Sequence, residues 1–103
     1  MKKIEIVSPK EIHQLAKEKG WWDEHRPVPE LLCLLHSEIS EALEAYRNDL
    51  PPTEEGGLFS ELADSIIRIF DMCGAYNIDI AKLVEEKHKR NMLRPYRHGN
   101  KKC

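Results

Sequence analysis

The chain is poor in cysteine, with only Cys33, Cys73 and Cys103, an odd number and no CxxC pair. That speaks against a disulfide framework and against a cysteine-built zinc site, and reduced thiols are expected. No stretch approaches the roughly 18 apolar residues of a membrane helix. The opening MKKIEIVSPKE also lacks the apolar middle section of a signal peptide. A cytoplasmic location with no membrane partner is therefore the default expectation. There is no alternating strand pattern, internal repeat or glycine-rich phosphate loop, which points to an all-α fold. There is no basic excess either. The net charge is −2, so a nucleic-acid polymer is not the expected partner.

What is present suits a soluble helical domain: 103 residues, 41% apolar and 33% charged. This is enough for one domain with one core, yet small enough that an oligomer would help to cover its apolar faces. Charge is segregated. From Glu30 to Asp64 there are nine acids and one base, Arg47; from Lys82 to Lys102 there are eight Lys or Arg residues against Glu85 and Glu86. An acidic centre followed by a basic end suits a site for a divalent cation and its anionic ligand, or two solvated faces that attract each other.

Leu31 to Tyr46, LLCLLHSEISEALEAY, is the organising stretch. At about 100° per residue, Leu31, Leu35, Ile39, Ala42, Leu43 and Tyr46 form an apolar arc, with Leu34 and Ala45 on its flank. Glu38 projects into that arc, and Glu41 lies at its margin. An ionised carboxylate set among apolar side chains is costly unless something compensates it. The alternatives are an interior ion pair with Arg or Lys, or a metal-ligating or catalytic acid at a cleft between helices.

Four helices follow from the local signals. Ser8 caps the first, Pro9 opens it, Glu11 completes a capping box, and Gly20 ends it after about Lys19. Ile12, Leu15 and Ala16 form its narrow apolar stripe. Trp21 and Trp22 follow in an irregular segment, where at least one should pack on the bundle and either could wall a pocket for a flat ring. The second helix runs from near Pro29 to Asn48 or Asp49, before a linker, PPTEEGG, that reads as too polar to pack. The third, from about Leu58 to Gly74, has an apolar arc of Leu62, Ala63, Ile66, Ile67, Ile69, Phe70 and Cys73. Its opposite line carries Glu61, Asp64, Arg68 and Asp71. Periodicity alone puts Glu61 and Asp64 in solvent. Arg68 and Asp71 could pair with each other or with the acidic cluster, in structural rather than catalytic roles. The fourth, capped by Asp79 after a break at Gly74, turns Ile80, Leu83, Val84 and Lys87 inward and ends near Asn91 or Met92. The remaining tail reads as a basic terminus without periodicity.

The order Glu38-x-x-Glu41, a linker, Glu61-x-x-Asp64, then Lys87, Asn91 and Arg94-Pro95-Tyr96 resembles the MazG-like all-α nucleotide pyrophosphohydrolases, over roughly residues 36–102. The resemblance implies a single four-helix domain with antiparallel helices, assembled as a dimer or a dimer of dimers with the site near a subunit boundary. It implies Mg2+-dependent hydrolysis of a nucleoside triphosphate to the monophosphate and pyrophosphate, clearing unwanted or excess nucleotides, with Mn2+ as a substitute metal. Glu38, Glu41, Glu61 and Asp64 would be the metal ligands, with Glu38 and Glu41 also catalytic. Lys87, Asn91 and Arg94 would bind phosphate or sugar. Residue chemistry adds Tyr96, Trp21 and Trp22 as candidates for the base. Many relatives read EExxE, whereas this chain has Ser37 in the first acidic slot, which moves water activation onto Glu38, Glu41 or metal-bound hydroxide. Other readings are a phosphoribosyl-ATP pyrophosphohydrolase-like enzyme, a dUTP-type specificity, or a non-catalytic helical module that docks through its acidic line and basic tail.

Overall fold

A computed structural model describes residues 7–102. Within them all regular structure is helical: α1 (Pro9–Glu18), α2 (Val28–Arg47), α3 (Leu58–Ala75), α4 (Ile80–Met92) and a single short turn, α5 (Arg97–Asn100). The tail expected to be irregular thus carries one helical turn. None of these helices is long and apolar enough to cross a membrane.

The helix ends follow from the sequence. Ser8 accepts a hydrogen bond from the Glu11 amide at 3.2 Å and Asp79 accepts one from the Lys82 amide at 3.0 Å, each satisfying an orphan donor of the first turn. The first three helices close alike. A residue at positive φ, Gly20 (89°), Asp49 (53°) or Asn77 (55°), reverses the chain. The next amide then reaches back to a carbonyl of the last turn: Trp21 to Ala16, Leu50 to Ala45, Ile78 to Cys73. The α2–α3 linker is not loose. Its Glu54 amide bonds to the Pro51 carbonyl and the Phe59 amide to that of Pro52. Gly57 is buried there, where an added Cβ would collide with the Pro51 carbonyl oxygen. Backbone hydrogen bonds, which composition does not reveal, make this polar segment pack.

Helix α3 is the hub, with α1 and α2 both packed against it and α4 packed comparably against none of them. Gly74 does not break α3. It lies within the helix where α1 crosses, and a Cβ there would meet the Pro9 carbonyl oxygen at 2.5 Å and His13 Cβ at 2.6 Å. Close approach of two helices is the reason for that glycine.

The orientation of α3 reverses the expectation from periodicity. Ser65 is buried and Glu61, Asp64 and Arg68 are half-buried on the side facing α2, while Ala63, Ile66 (51%) and Ile67 (48%) are exposed. On α2 the buried line is Leu31, Glu38, Ala42 and Ala45, and Ile39, Leu43 and Tyr46 at the edge of the expected arc are exposed. Helix α4 buries nothing; Leu83, Val84 and Lys87, expected inward, all face solvent. Among the described residues the buried apolar side chains are only Leu31, Ala42 and Ala45, and none of them is fully buried. The radius of gyration is 16.4 Å, against about 13 Å for a compact domain of this length. Apolar arcs mark what is available for burial, and in this chain α1 and α2 cover only part of it.

Candidate functional site

The seam between α2 and α3 assembles the acids. Glu38, at position i+7 from Leu31 and i−4 from Ala42, lies on the buried line of α2 and is 8% exposed. The i, i+3 spacing of Glu61 and Asp64 puts both on the face of α3 turned towards it. Carboxylate oxygens of Glu38, Glu61 and Asp64 all lie within 4.8 Å of one another. Glu41, one turn along α2, is exposed and stands beside Glu61. Partial burial raises the Glu61 pKa above its ordinary value; a proton-sharing contact with Glu41 and the charges of Glu41, Asp64 and Glu38 push the same way.

One base answers the cluster. Arg68 Nε donates to Glu38 Oε1 at 2.7 Å. The interior ion pair, one of the two alternatives for Glu38, is therefore present, and the same carboxylate belongs to a cluster of acids that could hold a metal ion. Arg68 is one turn beyond Asp64 on the same line of α3, and of its two expected partners, Asp71 and the acid cluster, it takes the cluster. Asp71, further along, pairs elsewhere: it accepts from His13 Nδ1 at 2.8 Å and from Trp22 Nε1 at 3.0 and 3.1 Å.

That three-residue knot ties α1 and the following loop to α3. The His13 and Trp22 rings meet edge to face with centroids 4.9 Å apart, and the Arg26 guanidinium lies 5.3 Å from the Trp22 centroid. Nothing in the spacing of His13 announces this, because its partner is 58 residues away. Trp22 is thus the tryptophan that packs. Trp21 is exposed and borders a groove of about 680 Å³ between α1 and α3, together with Glu38, Asp64, Arg68, Leu15 and Phe70. The groove wall is mainly apolar.

Ser37 takes no part in the cluster. It is exposed, and its hydroxyl donates to the Leu34 carbonyl at 2.6 Å, the usual back-bond of a helical serine. The basic candidates gather separately: Lys87, Asn91 and Arg94 line a second groove of about 400 Å³ with Arg90 on α4 and its exit. Tyr96 is exposed beyond them, with the Arg97 guanidinium 5.9 Å from its ring. Glu38, Asp64 and Trp21 share one groove, whereas Lys87, Asn91 and Arg94 share another. Of the cysteines, Cys33 on α2 is exposed and Cys73 on α3 is half-buried, burial raising its thiol pKa; Cys103 lies outside the described residues.

No family model, curated protein or solved structure matches this chain.

Proposed function

We propose that the chain is a Mg2+-dependent nucleoside triphosphate pyrophosphohydrolase, a cytoplasmic house-cleaning enzyme that works as a homodimer or dimer of dimers. One observation carries the reading: Glu38, Glu61 and Asp64 converge within 4.8 Å in a half-buried seam, offset by a single arginine. Acids that served only solubility would sit on the outward side of α3, where the isoleucines are instead.

The donor set fits the metal. Mg2+ prefers hard oxygen ligands, keeps several waters and is held by a few carboxylates, and Mn2+ can take the same ligands. Glu38, Glu61 and Asp64 would hold it, and the mutual repulsion expressed in the raised Glu61 pKa would be relieved. When bound, the ion supplies neutralisation of the triphosphate and a more acidic water. Glu41 is the group we assign to take the proton of the attacking water. It is exposed and adjacent to Glu61, whereas Glu38 already accepts from Arg68. The water oxygen bonds to the α-phosphorus, the bond from that phosphorus to the bridging oxygen breaks, and pyrophosphate leaves. Lys87, Asn91 and Arg94 are the phosphate contacts in this reading, Arg as a fork and Lys as a point charge. The groove beside Trp21 would receive the base.

Homo-oligomerisation is supported by the exposed Ile39, Leu43, Phe59, Ile66 and Ile67 and by the extended α4. A second copy would cover the first and bring another basic arm near the acids. These exposed faces equally favour the second reading, a non-catalytic helical interaction module.

The deciding experiment measures pyrophosphate release from a panel of standard and modified nucleoside triphosphates with and without Mg2+, alongside Glu38→Gln and Glu61→Gln. Metal-dependent turnover lost in both variants, with helicity retained, is the expected result. A panel without turnover above background at high protein concentration returns the molecule to the interaction module.

A further inference from the structure

Arg68 holds an ambiguous place in the seam. Its Nε–H is committed to Glu38 Oε1 at 2.7 Å, the Glu38 side chain being 11% exposed and that of Arg68 36%. A guanidinium has five N–H donors, and among the described residues only this one has a hydrogen-bond partner. The side chain borders the groove that also meets Glu38, Asp64 and Trp21. Being four residues beyond Asp64 and seven beyond Glu61, it stands on the same line of α3 as both acids. It is the only base that pairs with the cluster among the described residues.

A cluster of acids around a nearly buried carboxylate needs positive charge, and Arg68 provides one unit where a divalent cation would provide two. The two cations call on the same Glu38 carboxylate and repel each other. Arg68 is also long and partly exposed, and its planar fork is suited to phosphate.

Building on the metal-dependent reading, we infer that Arg68 is an exchangeable counter-ion. It neutralises Glu38 in the metal-free protein, yields that carboxylate to a divalent cation, and then turns its guanidinium to the phosphates of the nucleotide in the adjoining groove. The chain thus carries its own stand-in for the metal, which keeps Glu38 compensated while the site waits. Removing the arginine must affect two ligands in opposite directions. Even at the dielectric constant of water, one unit charge about 6 Å from a divalent ion changes its affinity about tenfold. Loss of Arg68 should strengthen cation binding by at least that factor, while a phosphate chain loses a bidentate partner and binds about tenfold more weakly.

The test titrates Mn2+ into nucleotide-free protein by electron paramagnetic resonance, then inorganic tripolyphosphate into the Mn2+-loaded protein by calorimetry, for wild type, Arg68→Gln and Arg68→Lys. The expected result is Mn2+ bound about tenfold tighter and tripolyphosphate about tenfold weaker in Arg68→Gln. Structural damage would weaken both together. Arg68→Lys keeps the charge without the fork, so its Mn2+ affinity should stay within about threefold of wild type while tripolyphosphate binding falls; it carries the test if the glutamine variant does not fold. Mn2+ binding that is equal or weaker in Arg68→Gln, with wild type binding normally, overturns the inference and leaves the metal site standing. Absence of Mn2+ binding to wild type and variants alike overturns both.

Discussion

The seam between α2 and α3 and the arm formed by α4 carry opposite charge, and they handle it in opposite ways. In the seam, three carboxylates are drawn within 4.8 Å of each other and one is nearly buried against an arginine. On the arm, Lys87, Arg90 and Arg94 stand in solvent, and the one side-chain ion pair there, Lys89 with Glu85 at 3.3 Å, is exposed on both sides. Exposed pairs of that kind contribute about 0–1 kcal/mol at most, so the arm's charges are nearly neutral for folding. Those of the seam are not, because desolvated like charges oppose the packing that gathers them. A fold keeps such an arrangement when something other than stability selects it, and the seam is where a cation has most to gain.

The sharpest way to test this contrast is to change the seam so that function and stability respond in opposite senses. Glu61→Gln removes one of the mutually repelling charges and should lower metal-dependent pyrophosphate release by at least about 100-fold, the scale expected when a metal ligand or charge-stabilising group is lost. The same variant should unfold at a higher temperature than wild type in a chelator, read by circular dichroism. A drop in both would make Glu61 a structural acid. On the α1 side, Gly74→Ala probes the support beneath the seam. Alanine favours a helix over glycine by up to about 1 kcal/mol, but the new Cβ would meet the Pro9 carbonyl oxygen at 2.5 Å. Separating two packed helices costs about 1–3 kcal/mol, so the clash should win, and urea unfolding should show a lower midpoint. On the arm, Lys87→Ala and Arg94→Ala should leave the unfolding midpoint unmoved and raise KM for the nucleotide about 3–10-fold. Destabilisation by either would mean that α4 packs in the assembled protein.

Much of this was legible in the residues. Helix boundaries lay close to the caps at Ser8 and Asp79 and to the stop at Gly20, because capping is local chemistry. Glu38 announced itself as an acid within an apolar stripe, and burial of that position follows from the 3.6-residue period. Periodicity alone puts Glu61 and Asp64 in solvent, whereas both are half-buried. Periodicity reports that a helix has two unlike faces, not which one meets its neighbour, and α3 turns its polar face to α2 while Ile66 and Ile67 point out. Arg68 is legible as a base that pairs either with Asp71 or with the acid cluster, and the structure selects the cluster, through Glu38 thirty residues earlier. The Asp71 knot was invisible, since a contact across such a separation leaves no spacing to read. Gly74 was taken for a break because glycine in a helix has two meanings, and only the crossing of α1 decides between them.

The smallest expected effect is the most diagnostic of how the seam stores its repulsion. In the metal-free protein the Glu61 pKa lies above 4.5, through partial burial first, then Glu41, then the charges of Asp64 and Glu38. A carboxyl raised in the folded state binds its proton more tightly there than in the unfolded chain. Its contribution to stability is therefore complete below 4.5 and is lost as pH rises through the folded value. Glu38, Glu41 and Asp64 all face it with the sign that raises it, and Arg68, through Glu38, opposes them. The difference in melting temperature between Glu61→Gln and wild type in a chelator should accordingly widen as pH climbs above 4.5 and level off once Glu61 is ionised. High salt should shrink the gap, because the group is partly exposed and its neighbours are screened. Saturating Mg2+ at neutral pH should close it, since the cation stabilises the ionised cluster of the wild type and finds one ligand fewer in the variant. A gap independent of pH would show that Glu61 and Glu41 do not feel each other, and the arm would then be no different in kind from the seam.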